Sequence, residues 1–184
     1  MSTSGDDHLV TEWAFAAGRG DRGAMESFIR ATQADVWRFI CYLSDAGRAD
    51  DLTQETFIRA LRSLPRFSGR STARTWLLSI ARRVVVDDIR RETSRPRVAH
   101  DDVEAAATAH PSGTHGHAER VEWEMLIAGL DAERREALLL TQILGLTYTE
   151  AAQVCGCPVG TIRSRVARAR DELQAAARAD DRAI

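Results

Sequence analysis

Apolar residues recur at helical spacing over most of the chain, and no stretch alternates with the two-residue period of a half-buried strand. From Met25 to Leu43 the stripe is Phe28, Ile29, Val36, Phe39, Ile40 and Leu43. Phe57, Ala60, Leu61 and Leu64 follow at i, i+3, i+4 and i+7 and predict a second helix. Its outward side carries Asp51, Gln54, Glu55, Ile58, Arg59 and Arg62, and Pro65 closes it. A polar, glycine-containing loop from Arg66 to Thr75 leads to a third helix, where Leu77, Ile80, Ala81 and Val84 repeat the same spacing. That helix should stop before Pro96, because the residue preceding a proline resists the helical conformation. Ahead of all this, residues 1–24 give only weak helical hints at Trp13 and Phe15 and read as an N-terminal extension.

Beyond the third helix the period lapses. Pro96, Pro111, a scatter of histidines and small polar residues predict a flexible linker over residues 97–119. The helical pattern resumes at Val121 and holds to about Ala177. The expected fold class is therefore all-α: two small helical domains, residues 25–96 and 120–177, on a flexible tether, with residues 178–184 as a tail. A single fused core would count against that division.

The sharpest local signal is TYTEAAQVCGCPVGTIRSRVARARDEL at 147–173. Thr147 and Glu150 form a capping box that starts a helix at Tyr148. Gly156 suits the left-handed residue that ends it, and Pro158 the first turn of the next. On that second helix Ile162, Val166, Ala169 and Leu173 share a buried face, while Ser164, Ala167 and Arg168 point away from it, flanked by Arg163 and Arg165. Two short helices, a tight turn and arginine tips describe a helix-turn-helix that enters a DNA major groove. The amides of Val159, Gly160 and Thr161, opening the second helix, offer a seat for a phosphate.

Charge sharpens the picture. The net charge of -2 conceals blocks of -5 (residues 1–55), +8 (56–99), -7 (100–158) and +2 (159–184). Two basic blocks set between acidic ones suggest two separate anionic contacts. All 25 basic residues are arginine, suited to bidentate contacts with phosphate and guanine, although a GC-rich genome alone would produce that bias. No apolar run is long enough to span a bilayer and the start is polar, so a cytoplasmic protein is expected.

The stretch CPVGTIRSRVARARDEL resembles the final helix-turn-helix of the extracytoplasmic-function (ECF) sigma factors. Upstream, ADDLTQETFIRAL and PRFSGRSTARTWLLSIARRVVVDDIRR resemble conserved region two of the same family, in its order and at its spacing. The two matches cover nearly all the chain beyond residue 24, and among subgroups the chain looks most like the actinobacterial sigma-C type. The resemblance implies an alternative sigma factor that binds bacterial RNA polymerase core and directs promoter-specific initiation. The implied partners are the largest-subunit clamp coiled coil, the second-subunit flap and promoter DNA. An anti-sigma protein is a further partner that the family allows and this sequence does not encode.

Residue by residue, the resemblance puts Asp50, Asp51, Gln54, Glu55 and Ile58 on the clamp. It builds a pocket for a flipped base of the downstream (minus-ten) element from Arg59, Ser63, Phe67, Ile80 and Arg83, with the loop from Gly69 to Ala73 closing over it. Relatives often have asparagine where this chain has Arg83. Arg66, Arg70, Arg74 and Arg82 would hold phosphates, and Trp76 would support the loop rather than touch a base. The upstream (minus-thirty-five) element falls to Thr161, Arg163, Ser164, Arg165, Ala167 and Arg168. Arg163 and Arg168 would reach guanine edges, and Thr161 and Arg165 would grip the backbone. Linker acids Asp101, Asp102 and Glu104 would mimic nucleic acid near the polymerase cleft.

Other chemistry is expected to be absent. Cys155-Gly-Cys157 lacks the second pair of a zinc site, and His115-Gly-His117, with His110 nearby, is expected to bind a metal only adventitiously. An alternative reading makes Asp87 and Asp88 paired catalytic carboxylates, but the neighbouring Arg82, Arg83, Arg90 and Arg91 favour ion pairing along the helix. No enzyme activity and no cofactor are expected. The alternatives are a stand-alone helix-turn-helix regulator, which leaves the region-two match unexplained, and an all-helical enzyme built on Asp87 and Asp88. With its basic strips set in an acidic chain, the free protein should bind promoter DNA weakly at physiological salt, and core polymerase should convert it to a specific complex. Gel shifts with and without core measure this; tight specific binding by the chain alone would contradict it.

Overall fold

The computed structural model describes residues 4–94 and 126–180. The predicted linker, with Asp101, Asp102, Glu104, His110, His115 and His117, lies outside the described residues. Among the described residues every regular element is helical: α1 (Ser4–Gly18), α2 (Arg22–Leu43), α3 (Ala49–Ser63), α4 (Ala73–Ser94), α5 (Ala132–Leu138), α6 (Tyr148–Cys155) and α7 (Val159–Asp180).

Local chemistry sets the ends of these helices. Asp21 accepts the Ala24 amide at 3.0 Å and starts α2. A 3-10 turn, Leu64–Arg66, carries Pro65 and ends the α3 direction. The last residue of α4, Ser94, stands two before Pro96. On the predicted stripes, Phe28, Val36, Phe39 and Ile40 of α2 and Leu77, Ile80, Ala81 and Val84 of α4 are buried. Two threonines also lie in these faces. Thr32 and Thr56 donate their hydroxyls to the Phe28 and Leu52 carbonyls, at 2.7 Å each, so neither is left unpaired in the core.

Residues 1–24 are more than an extension. α1 packs against α2 and α4 and buries Val10, Ala14 and Ala17 in the main core. The bulky residues that hinted at a helix are not the ones it buries: Trp13 is half-buried and Phe15 is 37% exposed.

The two helical domains also pack against each other. One apolar cluster runs from α1–α4 into Leu140, Leu144, Leu146, Ala151, Ala152, Val154 and Cys155 of the second half. A smaller cluster packs Ile127, Leu130, Leu138, Leu139 and Ala169 against Tyr42 and Leu43 at the end of α2. The close approach has a simple cause: α6 turns Ala151 and Ala152 inward, side chains small enough to let α4 come near. Two arginines of α4 then bridge the halves. Arg74, 9% exposed in its side chain, reaches Asp35 at 2.6 Å and donates to the Leu144 carbonyl at 2.6 Å. Arg82 donates to the buried carboxylate of Glu136 at 2.5 Å. Both had been expected to hold phosphates, and both are committed to protein partners instead.

These bridges generate two predictions. Removing the Arg74 guanidinium leaves the Leu144 carbonyl without that donor and Asp35 with the longer pairing to Arg38 at 3.5 Å. Arg74→Ala should weaken docking of the halves by about 2–3 kcal/mol, somewhat below the range for a fully buried pair because Asp35 keeps part of its side chain in water. Cys155 reports the loss. Burial, then the Glu136 carboxylate, push its thiol well above the ordinary range. Alkylation of Cys155 should be slow in the native protein and several-fold faster in Arg74→Ala; equal rates would contradict this.

Asp7 provides the second. Burial raises its pKa above the ordinary 3.8, against the pull of Arg74 and with help from Glu150 and Asp35. A carboxyl whose folded pKa is raised binds its proton more tightly in the folded chain. Its ionisation therefore destabilises the fold as pH rises from about 3.8 through the raised value. Asp7→Asn should raise the thermal midpoint at pH 7 and give no gain below pH ~3.5, as read by circular dichroism.

Candidate nucleic-acid interface

The chain leaves the 3-10 turn in extended conformation at Phe67, and Gly69 takes φ +71, which few residues other than glycine adopt cheaply. The resulting loop, together with the first turns of α4, bounds a cleft of about 480 Å³. Phe67, Arg70 and Arg83, three of the residues expected at the minus-ten surface, line it, joined by Arg66, Trp76 and Gln153. Phe67 and Trp76 lie with ring centroids 5.0 Å apart. Aromatic faces beside guanidinium groups can stack an unstacked base and hold its phosphates.

Three expected wall residues lie elsewhere. Ile80 is buried. Ser63 returns its hydroxyl proton to the Arg59 carbonyl at 2.8 Å. Arg59 spans Glu55 at 2.7 Å and Asp87 at 2.9 Å, and those hydrogen bonds, Asp87 first, hold its guanidinium above its ordinary value. Trp76, expected to support the loop, packs on Phe67 with its ring tilted by 46° and also lines the cleft. The sequence signal for it was the interleaving of basic and aromatic residues from Arg66 to Trp76. Gln153 had no signal, since it arrives from α6 in the other half.

The helix-turn-helix follows its predicted chemistry. Thr147 and Glu150 make the reciprocal capping box, with Thr147 N donating to Glu150 at 2.9 Å and Glu150 N to Thr147 Oγ1 at 3.2 Å. Gly156 closes α6 in the left-handed conformation at φ 65. On α7, Ile162, Val166 and Ala169 are buried while Arg163, Ser164, Ala167 and Arg168 face solvent, and Thr161 is half-buried. Arg165 departs from expectation: its side chain is 17% exposed, pairs with Glu133 and reaches the Cys157 sulfur at 3.8 Å. It ties α7 to the start of α5, which leaves little of it for a DNA backbone. At the helix start, the Thr161 amide is already donated to the Pro158 carbonyl at 2.9 Å.

On α3, Asp50, Asp51, Gln54 and Ile58 are exposed and Glu55 is half-buried. Trp37 donates its indole N–H to Asp50 at 2.8 Å and orients that carboxylate. Ile58, 38% exposed, is one of few large apolar side chains so placed among the described residues. Asp87 and Asp88 pair across to other segments rather than along α4, Asp87 with Arg59 and the buried Asp88 with Arg48. Two carboxylates neutralised in this way are poorly suited to catalysis.

Residues 28–95 match Sigma-70 region 2, and residues 120–173 match Sigma-70, region 4. The chain is 57% identical over 180 residues to the probable RNA polymerase sigma-C factor of Mycobacterium bovis, covering 98% of this chain and 97% of the relative. The same figures hold for the ECF RNA polymerase sigma factor SigC of Mycobacterium tuberculosis. Among solved structures, CnrH in complex with the cytosolic domain of CnrY superposes with a TM-score of 0.71 at 25% identity, covering 94% of this chain and 99% of that one. The sigma factor RpoE in complex with the anti-sigma factor NepR from Bartonella quintana also gives 0.71, at 29% identity and with 82% and 94% covered. A stand-alone helix-turn-helix regulator does not account for the region 2 match. With both regions matched in order and relatives aligned nearly end to end, this chain belongs to the ECF sigma factors of the sigma-70 family.

Proposed function

We propose that the chain works as a dissociable specificity subunit that recruits core polymerase through α3, captures a minus-ten base in the Phe67–Trp76 cleft, and reads the minus-thirty-five duplex with α7. The solvent-facing stripe of Arg163, Ser164, Ala167 and Arg168 carries this reading most directly, because it presents two guanidinium groups and little else at the tip of a helix-turn-helix. On α3, carboxylates around the exposed Ile58 suit a basic partner surface with one apolar anchor. Arg66 and Arg70, both exposed, are the phosphate contacts that remain once Arg74 and Arg82 are committed elsewhere. The chain supplies no catalytic group; bond making belongs to the polymerase.

The docked arrangement bears on mechanism. Gln153 of region 4 lines the minus-ten cleft, and α6 packs against the helix that forms its wall. A base cannot settle fully there while region 4 stays in place, so opening of the Arg74 and Arg82 bridges accompanies promoter capture. The α7 stripe, by contrast, is already accessible. Similarity to RpoE, solved with its anti-sigma factor NepR, supports an anti-sigma protein as a further partner. No helix among the described residues is long and apolar enough to cross a membrane, which fits a cytoplasmic site of action.

Run-off transcription with core polymerase on a genomic promoter library tests this reading. Arg163→Ala and Arg168→Ala should each lower initiation by about 10-fold and relax preference at a single minus-thirty-five position, in keeping with about 1–3 kcal/mol for a bidentate guanine contact. Ile58→Ala should lower core affinity by roughly 10-fold, as for an interface anchor, without changing which promoters are chosen. Promoter-independent output from the wild-type complex would overturn the reading.

A further inference from the structure

The Sigma-70 region 2 match begins at residue 28, so α1 lies outside it. Yet α1 is where the loop of the minus-ten cleft is anchored, through three contacts. First, Thr11 Oγ1 accepts the Ala73 amide at 3.0 Å and donates its own proton to the Asp7 carbonyl at 2.7 Å. Ala73 opens α4, and the first amides of a helix have no intrahelical acceptor. Thr72 Oγ1 takes the Thr75 amide at 3.2 Å, and Thr11, 62 residues away in sequence, takes that of Ala73. Both hydroxyl functions of Thr11 are used.

Second, Phe15 stands beside the loop. Its ring centroid is 5.1 Å from that of Phe67, which continues the row to Trp76. Gly69 sits so close that a Cβ there would come within 2.7 Å of the Phe15 ring. Third, Gly18 fits against the Leu64 carbonyl, where a Cβ would approach to 2.8 Å, so the end of α1 meets the turn from which the loop departs. A helix serving only as a cover would bury its largest side chains. α1 buries Val10, Ala14 and Ala17 and leaves Phe15 37% exposed against the loop.

We propose that α1 is a positioning element of the minus-ten reader. Thr11 fixes the first amide of α4, Phe15 limits the loop from the side, and Phe67, Arg70 and Trp76 are thereby held ready for an unstacked base. A loop ordered in advance does not lose that freedom when DNA arrives. The proposal rests on the reading of the cleft given above, and the experiment separates the two.

Holoenzymes are reconstituted from full-length variants and core polymerase. Open-complex formation is then measured on a duplex promoter and on versions with single minus-ten substitutions, alongside core affinity and thermal midpoint. Thr11→Val keeps shape without the hydroxyl, Thr11→Ser keeps the hydroxyl, and Phe15→Ala removes the prop. Thr11→Val and Phe15→Ala should lower open-complex formation by about fivefold, the scale of one hydrogen bond, and flatten the preference among minus-ten bases. Core affinity should stay within about twofold, and Thr11→Ser should restore base preference. Unchanged base preference in Thr11→Val and Phe15→Ala, a loss that Thr11→Ser does not repair, or a parallel loss of core affinity overturns the proposal. If Thr11→Val does not fold, the half-exposed Phe15→Ala decides. Phe67→Ala separates the layers. If it leaves base preference intact, the cleft is not the minus-ten reader. If it flattens preference while the α1 variants behave as wild type, only the role given to α1 falls.

Discussion

Arg74 enters the interface with less than a tenth of its surface in water and shares its guanidinium between the Asp35 carboxylate and the Leu144 carbonyl. A cation so placed is tolerable only while both partners stay in reach, since an unpaired buried charge is far costlier than the pair is favourable. The docking of region 4 on region 2 therefore depends on this contact. With Arg82 and Glu136 it fixes where α6 lies on α4, and hence where Gln153 stands over the cleft. The apolar cluster that crosses the junction adds area, but its alanines and leucines are less particular about register than a guanidinium with two acceptors.

The arrangement treats the α7 stripe and the Phe67 cleft unequally. The α7 stripe is open to solvent, and the cleft between the Phe67 loop and α4 is partly covered. On the proposed reading, such a protein holds its duplex-reading helix ready and keeps its base pocket covered until region 4 moves. Asp7 lies near that junction, where it feels the charges of Arg74, Glu150 and Asp35.

Most helices were legible because their apolar stripes carry large residues at regular spacing, as in Phe28 to Ile40 and Leu77 to Val84. The capping box at Thr147 and the glycine end at Gly156 were equally plain, because each is a local device. α1 was missed as a core element because it packs through Val10, Ala14 and Ala17, a stripe too small in volume to stand out beside Trp13 and Phe15. Docking was illegible for another reason. A buried arginine that bonds a backbone carbonyl has the same letter as one that holds a phosphate, so Arg74, Arg82 and Arg165 all read as DNA contacts. Of the cleft, Phe67, Arg70 and Arg83 were foreseen from the family pattern, whereas Arg59 was drawn into a network with Glu55 and Asp87 that depends on helix pairing. Asp88 likewise found Arg48 rather than a neighbour on its own helix.

The central claim is that region 4 rests on region 2 in the free chain and leaves it when the protein engages polymerase. Pulsed electron paramagnetic resonance would measure it directly, with spin labels at Arg62→Cys on α3 and Gln174→Cys on α7 in a background where Cys41, Cys155 and Cys157 are replaced. The free protein should give one narrow distance distribution, and the polymerase-bound protein a clearly longer one. The same distance in both states, or a broad distribution in the free chain, would contradict it.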